Sequence, residues 1–449
     1  MTFIAEKVDN QLRKDVNLKP FSSGFLRIAF CLPELKPLQK VILGEQVNAA
    51  YIQQKNIATS LQSRGHRLTF IAPSSLDQIV CTGDPNDAKP ASQTWSASRW
   101  FDFASRGTWR IQQLLGVPYL NFFSNYRFFD ACQQCLPGHD LVYERNSLYM
   151  TGIAMACKRL GLPYVLFFDA DQILELDFMG KPITGLLRWR AKATTRYNLN
   201  AADCVICVSE PAKAHLARNW SVPAEKIAVF PNAADVHGFR PDPEASIAVR
   251  TSLGVENKLL IFFVGGFYEW HDVRTLLDAF AQVLMTHPDA CLVLVGDGTL
   301  RQAMEQHSTD LGIDHAVRFT GIVAHAEVPR LMAAADIAVV PYPPIDRELW
   351  LSPLKLFEYM ASGTAIVASA VGQLKEIIQD RNNGLLVPPG DIAAMTVALH
   401  KLIDDPALRS RLSQQAREDA VQKYSWDSYV SRLERIFAAV IAGKPIDKI

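Results

Sequence analysis

The sequence predicts an α/β protein of two doubly wound domains, each a parallel sheet with helices on both faces. Three observations carry that prediction. Strand-like apolar runs alternate with segments of helical periodicity over most of the 449 residues, the pattern of a parallel sheet covered on both sides. The alternation restarts after Pro231 to Ser246, a stretch rich in Pro, Asp, Asn and Gly that reads as a connection. The length, at roughly 150 residues per domain, favours two or three domains.

The elements follow in order. Residues 1–24 are mixed and charged and lack the apolar core of a secretory leader; they are expected to form a mobile tail. The first domain is expected over residues 25–227. It opens with the strand FLRIAFCLP from Phe25. Arg64-Gly65-His66 closes a helix, and Leu68 to Ile71 begins the next strand. DLVYERN, a helix through GIAMACKRLGLP, the strand PYVLFF, a basic helix near 184–201, DCVICVS and KIAVFPN continue the alternation. Residues 228–256 are assigned as the linker and 257–424 as the second domain. There NKLLIFFVGG is a buried strand ending in two glycines. The next helix aligns Val273, Leu276, Leu277, Phe280 and Leu284 on one face. ACLVLVGDG, AVRFTG, DIAVVPY and TAIVASAV supply further strands. Residues 425–449 form a final helical segment. Ligands of such sheets bind outside the carboxyl ends of the strands, so two facing domains place a cleft between those ends.

Composition removes several function classes. With 49% hydrophobic and 20% charged residues and a formal net charge of zero, nothing global points to nucleic acid. No window approaches the ~18 consecutive apolar residues of a membrane span. Eight cysteines include two CxxC pairs, Cys132/Cys135 and Cys204/Cys207. A zinc or redox reading competes with a simpler one. In a strand, an offset of three sends Cys204 and Cys207 to opposite faces, so buried, reduced thiols are favoured. Residues 95–129 are unusually aromatic; packing is the favoured reading, with an apolar acceptor groove or a membrane-touching face as the alternative. Arg188, Lys192 and Arg196 recur at intervals of four beside Trp189. They form either a solvated basic stripe or a contact with an anionic lipid surface.

The chemistry concentrates in LSPLKLFEYMASG, Leu351 to Gly363. Ser352 suits a helix N-cap and Pro353 the first helical position. Lys355 then places a cation where the helix dipole disfavours one, which makes sense if an anion sits there. The free N–H groups of Leu354 and Lys355 and the ammonium would converge on a phosphate, with Glu358 one turn on to accept from a ribose diol. Gly265 and Gly266 end a strand and leave room for a ligand against the backbone. His271 precedes the next helix and can donate to a phosphate oxygen. VGDG (Val295 to Gly298) and FTG (Phe319 to Gly321) end neighbouring strands and can line a base pocket. In PYVLFFDAD, Asp169 and Asp171 permit three readings: a divalent cation site, one cleft carboxylate, or an acidic loop.

Five stretches in order, KIAVFPNAADVHGFRP, LVLVGDG, VRFTGIV, LFEYMASGTAIVAS and EIIQDRNNGLLVPPGD, resemble the motifs of the retaining glycosyltransferases of family 4. The resemblance covers roughly residues 26–440. It implies the GT-B fold of two facing Rossmann-like domains, a nucleotide sugar bound by the C-terminal domain, an acceptor bound by the N-terminal domain, and no metal or other cofactor. It also implies a last helix, from near Trp426, that crosses back to the N-terminal domain. The family's phosphate-gripping Arg and Lys are replaced here by Gly266 and His271. Of its paired glutamates, the second is Glu358 and the first falls on Trp350, with Glu348 as a weaker substitute. A subgroup with W-H-G and S-P-L-K-L-F-E-Y patterns shares these changes. By the same resemblance Asp169 stands where many members place a catalytic histidine, so it is expected in the cleft, bonded to a donor-sugar hydroxyl or the acceptor. Gly44, Glu144 and Arg145 are expected on the acceptor side.

The expected activity is transfer of a sugar from a nucleotide-diphosphate sugar to a glycan, lipid or small-molecule acceptor, with retention and without metal, in a cytoplasmic protein that can touch the membrane peripherally. A nucleotide-sugar epimerase and a non-catalytic nucleotide-sugar binder are the alternatives.

Overall fold

The structure, a computed structural model, describes residues 24–45, 49–74, 78–118, 120–344 and 352–446. The expected N-terminal tail, apart from Gly24, and the positions of Trp350 and Glu348 lie outside the described residues.

The chain forms two sheets. The first contains β1 (Arg27–Cys31), β2 (Arg67–Pro73), β3 (Ile79–Thr82), β4 (Leu141–Arg145), β5 (Tyr164–Phe168), β6 (Cys204–Cys207) and β7 (Ile227–Val229), in the spatial order β3-β2-β1-β4-β5-β6-β7. All neighbours are parallel except the edge pair β2–β3. The second contains β8 (Leu259–Val264), β9 (Ala290–Val295), β10 (Val317–Gly321), β11 (Ile337–Val340), β12 (Ala365–Ser369) and β13 (Leu385–Val387), ordered β10-β9-β8-β11-β12-β13 and wholly parallel. In both sheets the order reverses beside the first strand, between β1 and β4 and between β8 and β11. A crevice opens at such a switch point.

The continuous apolar runs exist because both faces of each sheet are covered. Every residue of β5 and β9 is buried. The first sheet packs Phe30, Tyr143 and Phe167 on one side and Cys31, Val142 and Leu166 on the other. Cys204 and Cys207 divide between those two sides as their spacing predicts, and all eight cysteines are free thiols. The helix Val273–Leu284 turns Val273, Leu276, Leu277 and Phe280 into the second core. Its start is capped by Asp272, whose Oδ1 accepts from the Thr275 amide at 3.3 Å, a contact type that contributes about 1 kcal/mol.

The chain crosses between the sheets twice, side by side. The Ala234 amide donates to the Tyr424 carbonyl at 2.9 Å, and the Trp426 amide returns a bond to Ala234 at 3.3 Å. The last helix, Trp426–Ile441, then buries Tyr429, Val430, Leu433 and Phe437 in the core of the first sheet. Its Glu434 accepts from Arg64 at 3.0 Å and bonds His66 at 2.9 Å.

Two surface expectations change. The helix Arg99–Leu114 buries none of its residues, so much of the aromatic segment does not pack as expected. In the proposed basic stripe, Arg188 is tied to Asp177 by two 2.8 Å bonds. Of its three cations Lys192 and Arg196 stand exposed, as does the neighbouring Trp189.

Candidate active site

In the second domain, β8 runs into Gly265–Gly266, and the helix Leu354–Ala361 starts beside this turn. Tyr359 fixes the two together, its hydroxyl accepting from the Val264 amide at 2.7 Å. Lys355 reaches back so that its Nζ stands 4.3 Å from the centre of the Phe263 ring. A β-carbon at Gly265 would lie 2.3 Å from that nitrogen, the end of a flexible side chain, and the backbone φ of +155° itself favours glycine there. The lysine stem is partly accessible, but its ammonium is closed off from solvent and has no hydrogen-bond partner among the described residues. Burial, only partly offset by the Glu358 charge, pulls its pKa down to about 7. An unpartnered buried donor of this kind is costly unless a ligand completes it.

His271 stands beside it, its Nδ1 2.7 Å from the Gly266 carbonyl. A carbonyl only accepts, so Nδ1 carries the proton. Burial and the neighbouring Lys355 depress the imidazole to about 3, which leaves Nε2 an acceptor in the free protein. With Nδ1 donating to the Gly266 carbonyl, donation from Nε2 to a phosphate oxygen requires the imidazolium form.

Ser352 and Pro353 also differ from their expected roles. Pro353 is the N-cap, and no side chain caps the helix. The Ser352 hydroxyl instead accepts from the Asn232 amide at 2.8 Å, and its carbonyl accepts from the Asn232 side chain. Asn232, from the PNAAD stretch, also takes a bond from Gln53 of the first domain. The hydroxyl oxygen thus joins the crossover to the helix start while its O–H remains available as a donor, and the N–H groups of Leu354 and Lys355 have no acceptor among the described residues.

Glu358 is buried, with Oε1 2.8 Å from Nε2 of His325. Burial lowers the His325 pKa, but the Glu358 hydrogen bond and charge outweigh it, and the net direction is upward. The glycines at the other strand ends have a packing reason: a β-carbon at Gly296 would lie 2.0 Å from the Gly265 carbonyl oxygen and one at Gly298 2.4 Å from that of Phe267. They let the β8 and β9 turns be stitched together, Gly265 to Val295 at 2.9 Å and Phe267 to Asp297 at 3.0 Å.

In the first domain the two aspartates have separate fates. Asp169 follows β5 and meets Arg145 at the end of β4. Its Oδ2 accepts from Arg145 Nε at 2.9 Å and Nη2 at 2.6 Å. The Arg145 guanidinium also lies 5.2 Å from the Tyr51 ring centre. Burial opposes the charge of Arg145, but Asp169 more than compensates and its pKa is raised. Asp171 is instead a helix cap. Its Oδ1 accepts from the Ile173 and Leu174 amides, and its Oδ2 from His215 at 2.9 Å and Trp220 at 2.8 Å. Both of its oxygens are engaged by protein donors, which argues against sharing a cation with Asp169. Among the described residues no cluster of three His, Cys, Asp or Glu side chains could hold a metal.

Glu144 does not join Arg145 at the acceptor side. Neighbours on a strand point to opposite faces, and Glu144 is buried with Oε2 accepting from Tyr164 at 2.6 Å. Burial pushes its carboxyl up to about 8. Gly44 is exposed after the helix Lys36–Ile42, with φ of +78° and open space where a β-carbon would stand. A cavity of about 470 Å³ does open at the carboxyl ends of β1 and β2, lined by Glu34, Lys36, Pro73, Asn121, Ser124 and Met150. His325, Asn232 and Trp270 were not anticipated. Trp270 stacks on Tyr268 at 4.7 Å and touches Phe178 of the first domain at 5.7 Å.

Residues 54–237 match the family model "Glycosyltransferase Family 4", and residues 258–405 match "Glycosyl transferases group 1". An uncharacterised glycosyltransferase of Methanocaldococcus jannaschii is 30% identical over 238 residues, 52% of this chain and 59% of that protein. The alpha-D-kanosaminyltransferase of Streptomyces kanamyceticus is 26% identical over 251 residues, 56% of this chain and 64% of that protein. The chain thus spans less than two thirds of the length of either relative. Among solved structures, sucrose-phosphate synthase from Thermosynechococcus elongatus aligns with a TM-score of 0.66 at 19% identity, over 93% of this chain and 100% of that one. Two doubly wound sheets joined by a double crossover, with a last helix returning to the first, define the GT-B architecture. Within that class, the chain belongs to the group 1, family 4 glycosyltransferases.

Proposed function

We propose that the protein transfers a sugar from a nucleotide-diphosphate sugar to a hydroxyl acceptor with retention of configuration and without a metal. The observation that carries this reading is the buried ammonium of Lys355, unpartnered among the described residues and lying beside Gly265. The diphosphate is the natural counter-charge, with the Leu354 and Lys355 amides beside it. Glu358, steadied by His325, accepts from the ribose hydroxyls. Across the cleft, Asp169, oriented by Arg145, bonds a hydroxyl of the donor sugar or acceptor.

The bond from the anomeric carbon to the diphosphate breaks as the acceptor oxygen approaches on the same face. The departing phosphate oxygen receives the acceptor proton. The protein contributes positioning and stabilisation of the charge on the leaving group.

Titration calorimetry with a panel of nucleotide sugars tests the donor site, and NMR of the glycoside formed tests retention. Binding of one donor, followed by release of free nucleotide and an α-configured product from an α-configured donor, is expected. No binding across the panel overturns the reading, and a changed nucleotide sugar with no glycoside would make the protein an epimerase.

A further inference from the structure

The helix Arg99–Leu114 carries a feature that the transferase reading does not use. Trp100, Phe103, Ile111 and Leu114 fall on one narrow stripe at helical spacing, and that stripe points to solvent: Trp100 is 82%, Phe103 73% and Leu114 86% exposed. Soluble proteins seldom leave so continuous an apolar face uncovered. The helix is fixed from its other side. Phe101 meets Phe123 at 5.2 Å, and Asp102 receives a 2.6 Å bond from Arg127.

Charge identifies what covers the stripe. Arg99, Arg106 and Arg110 run along one flank of it, and none has an ion-pair partner among the described residues. The single acidic residue of the helix, Asp102, is occupied by Arg127. A second copy of the chain would bring three more arginines and no free carboxylate from this helix. An apolar stripe with tryptophan, flanked by unpaired arginines, instead suits a helix lying in the plane of a bilayer surface, its rings among the acyl chains and its guanidiniums on anionic headgroups. No helix among the described residues is long and apolar enough to cross a membrane. We infer that the Arg99–Leu114 helix docks the first domain onto an anionic lipid surface. The inference does not depend on the transferase reading.

Flotation of the full chain with vesicles tests it, comparing phosphatidylcholine alone with a mixture containing phosphatidylglycerol. Binding to the anionic vesicles that weakens with salt is expected, with a blue shift of tryptophan fluorescence. Trp100→Glu with Phe103→Glu, and separately Arg99→Glu with Arg106→Glu and Arg110→Glu, should each reduce partitioning by about tenfold or more. Circular dichroism and nucleotide affinity should stay unchanged, since these side chains point away from the core. Absence of binding at low salt overturns the inference. So does binding that neither variant reduces, or a lipid-free dimer that the Trp100/Phe103 variant dissolves.

Discussion

The two halves of the cleft treat charge in opposite ways. In the first domain three carboxylates near the strand ends are satisfied from within: Asp169 by Arg145, Asp171 by four donors, Glu144 by Tyr164. In the second, Lys355 is left with no hydrogen-bond partner among the described residues, over the Phe263 ring and beside Gly265. A closed network offers hydrogen bonds without net charge, which suits a neutral polyol. An open cationic site stores a desolvation cost that an anion relieves on binding. On the proposed function this contrast would assign donor affinity and chemistry to separate domains, and the following experiments test that division.

The largest effect is expected at Asp169. Asp169→Ala should lower turnover by about 100-fold while leaving nucleotide affinity within about twofold, as steady-state kinetics and calorimetry will read. If nucleotide affinity falls equally, the division fails. Asp171→Ala should act on stability. Removing the cap and the partner of His215 and Trp220 should cost about 2–4 kcal/mol in a urea titration, with turnover per folded molecule retained and unchanged by a strong chelator.

Lys355→Met should weaken nucleotide-sugar binding by about 10- to 100-fold, the value of a charge-assisted hydrogen bond, and raise the melting temperature. The pH dependence has a definite sign. A lysine held at about 7 in the fold against an ordinary value near 10.4 binds fewer protons folded than unfolded between those values. Wild-type stability therefore rises through that window, and Lys355→Met should lose that rise. Donor binding runs the other way, because the diphosphate needs the ammonium. Affinity should fall as pH climbs above about 7, with proton uptake visible as a buffer-dependent enthalpy. A flat profile would show that Lys355 does not meet the phosphates.

The smallest effect concerns His325. His325→Gln keeps a donor toward Glu358 and should change donor KM by about threefold with kcat unchanged. His325→Ala should cost more. Equal loss in both variants would mean that His325 does more than hold Glu358.

Much of this was legible in the sequence. The strands were readable because sheets buried on both faces demand unbroken apolar runs, as in Tyr164–Phe168 and Ala290–Val295. Lys355 stood out because a cation at a helix start opposes the dipole, and the structure buries its ammonium without a partner among the described residues. What failed were assignments that ignored geometry or depended on distant partners. Glu144 and Arg145 were placed together, although strand alternation separates them. Ser352 has the chemistry of a cap, but Asn232, 120 positions away, claims its hydroxyl. His325 carries no local sign of its bond to Glu358, 33 residues on. The stripe on the Arg99–Leu114 helix was present as spacing, yet aromatic content alone suggested a core.

The returning helix has a consequence for the order in which the protein can be made. The core around β1 and β4 includes Tyr429, Val430, Leu433 and Phe437, which leave the ribosome after every described strand of the second domain. The second domain has all six of its strands by Val387. The domain of β1–β7 is thus completed only after that of β8–β13, and until then part of its apolar interior faces solvent or a chaperone. A stop codon shortly before Trp426 would therefore damage a domain whose strands all lie before residue 230.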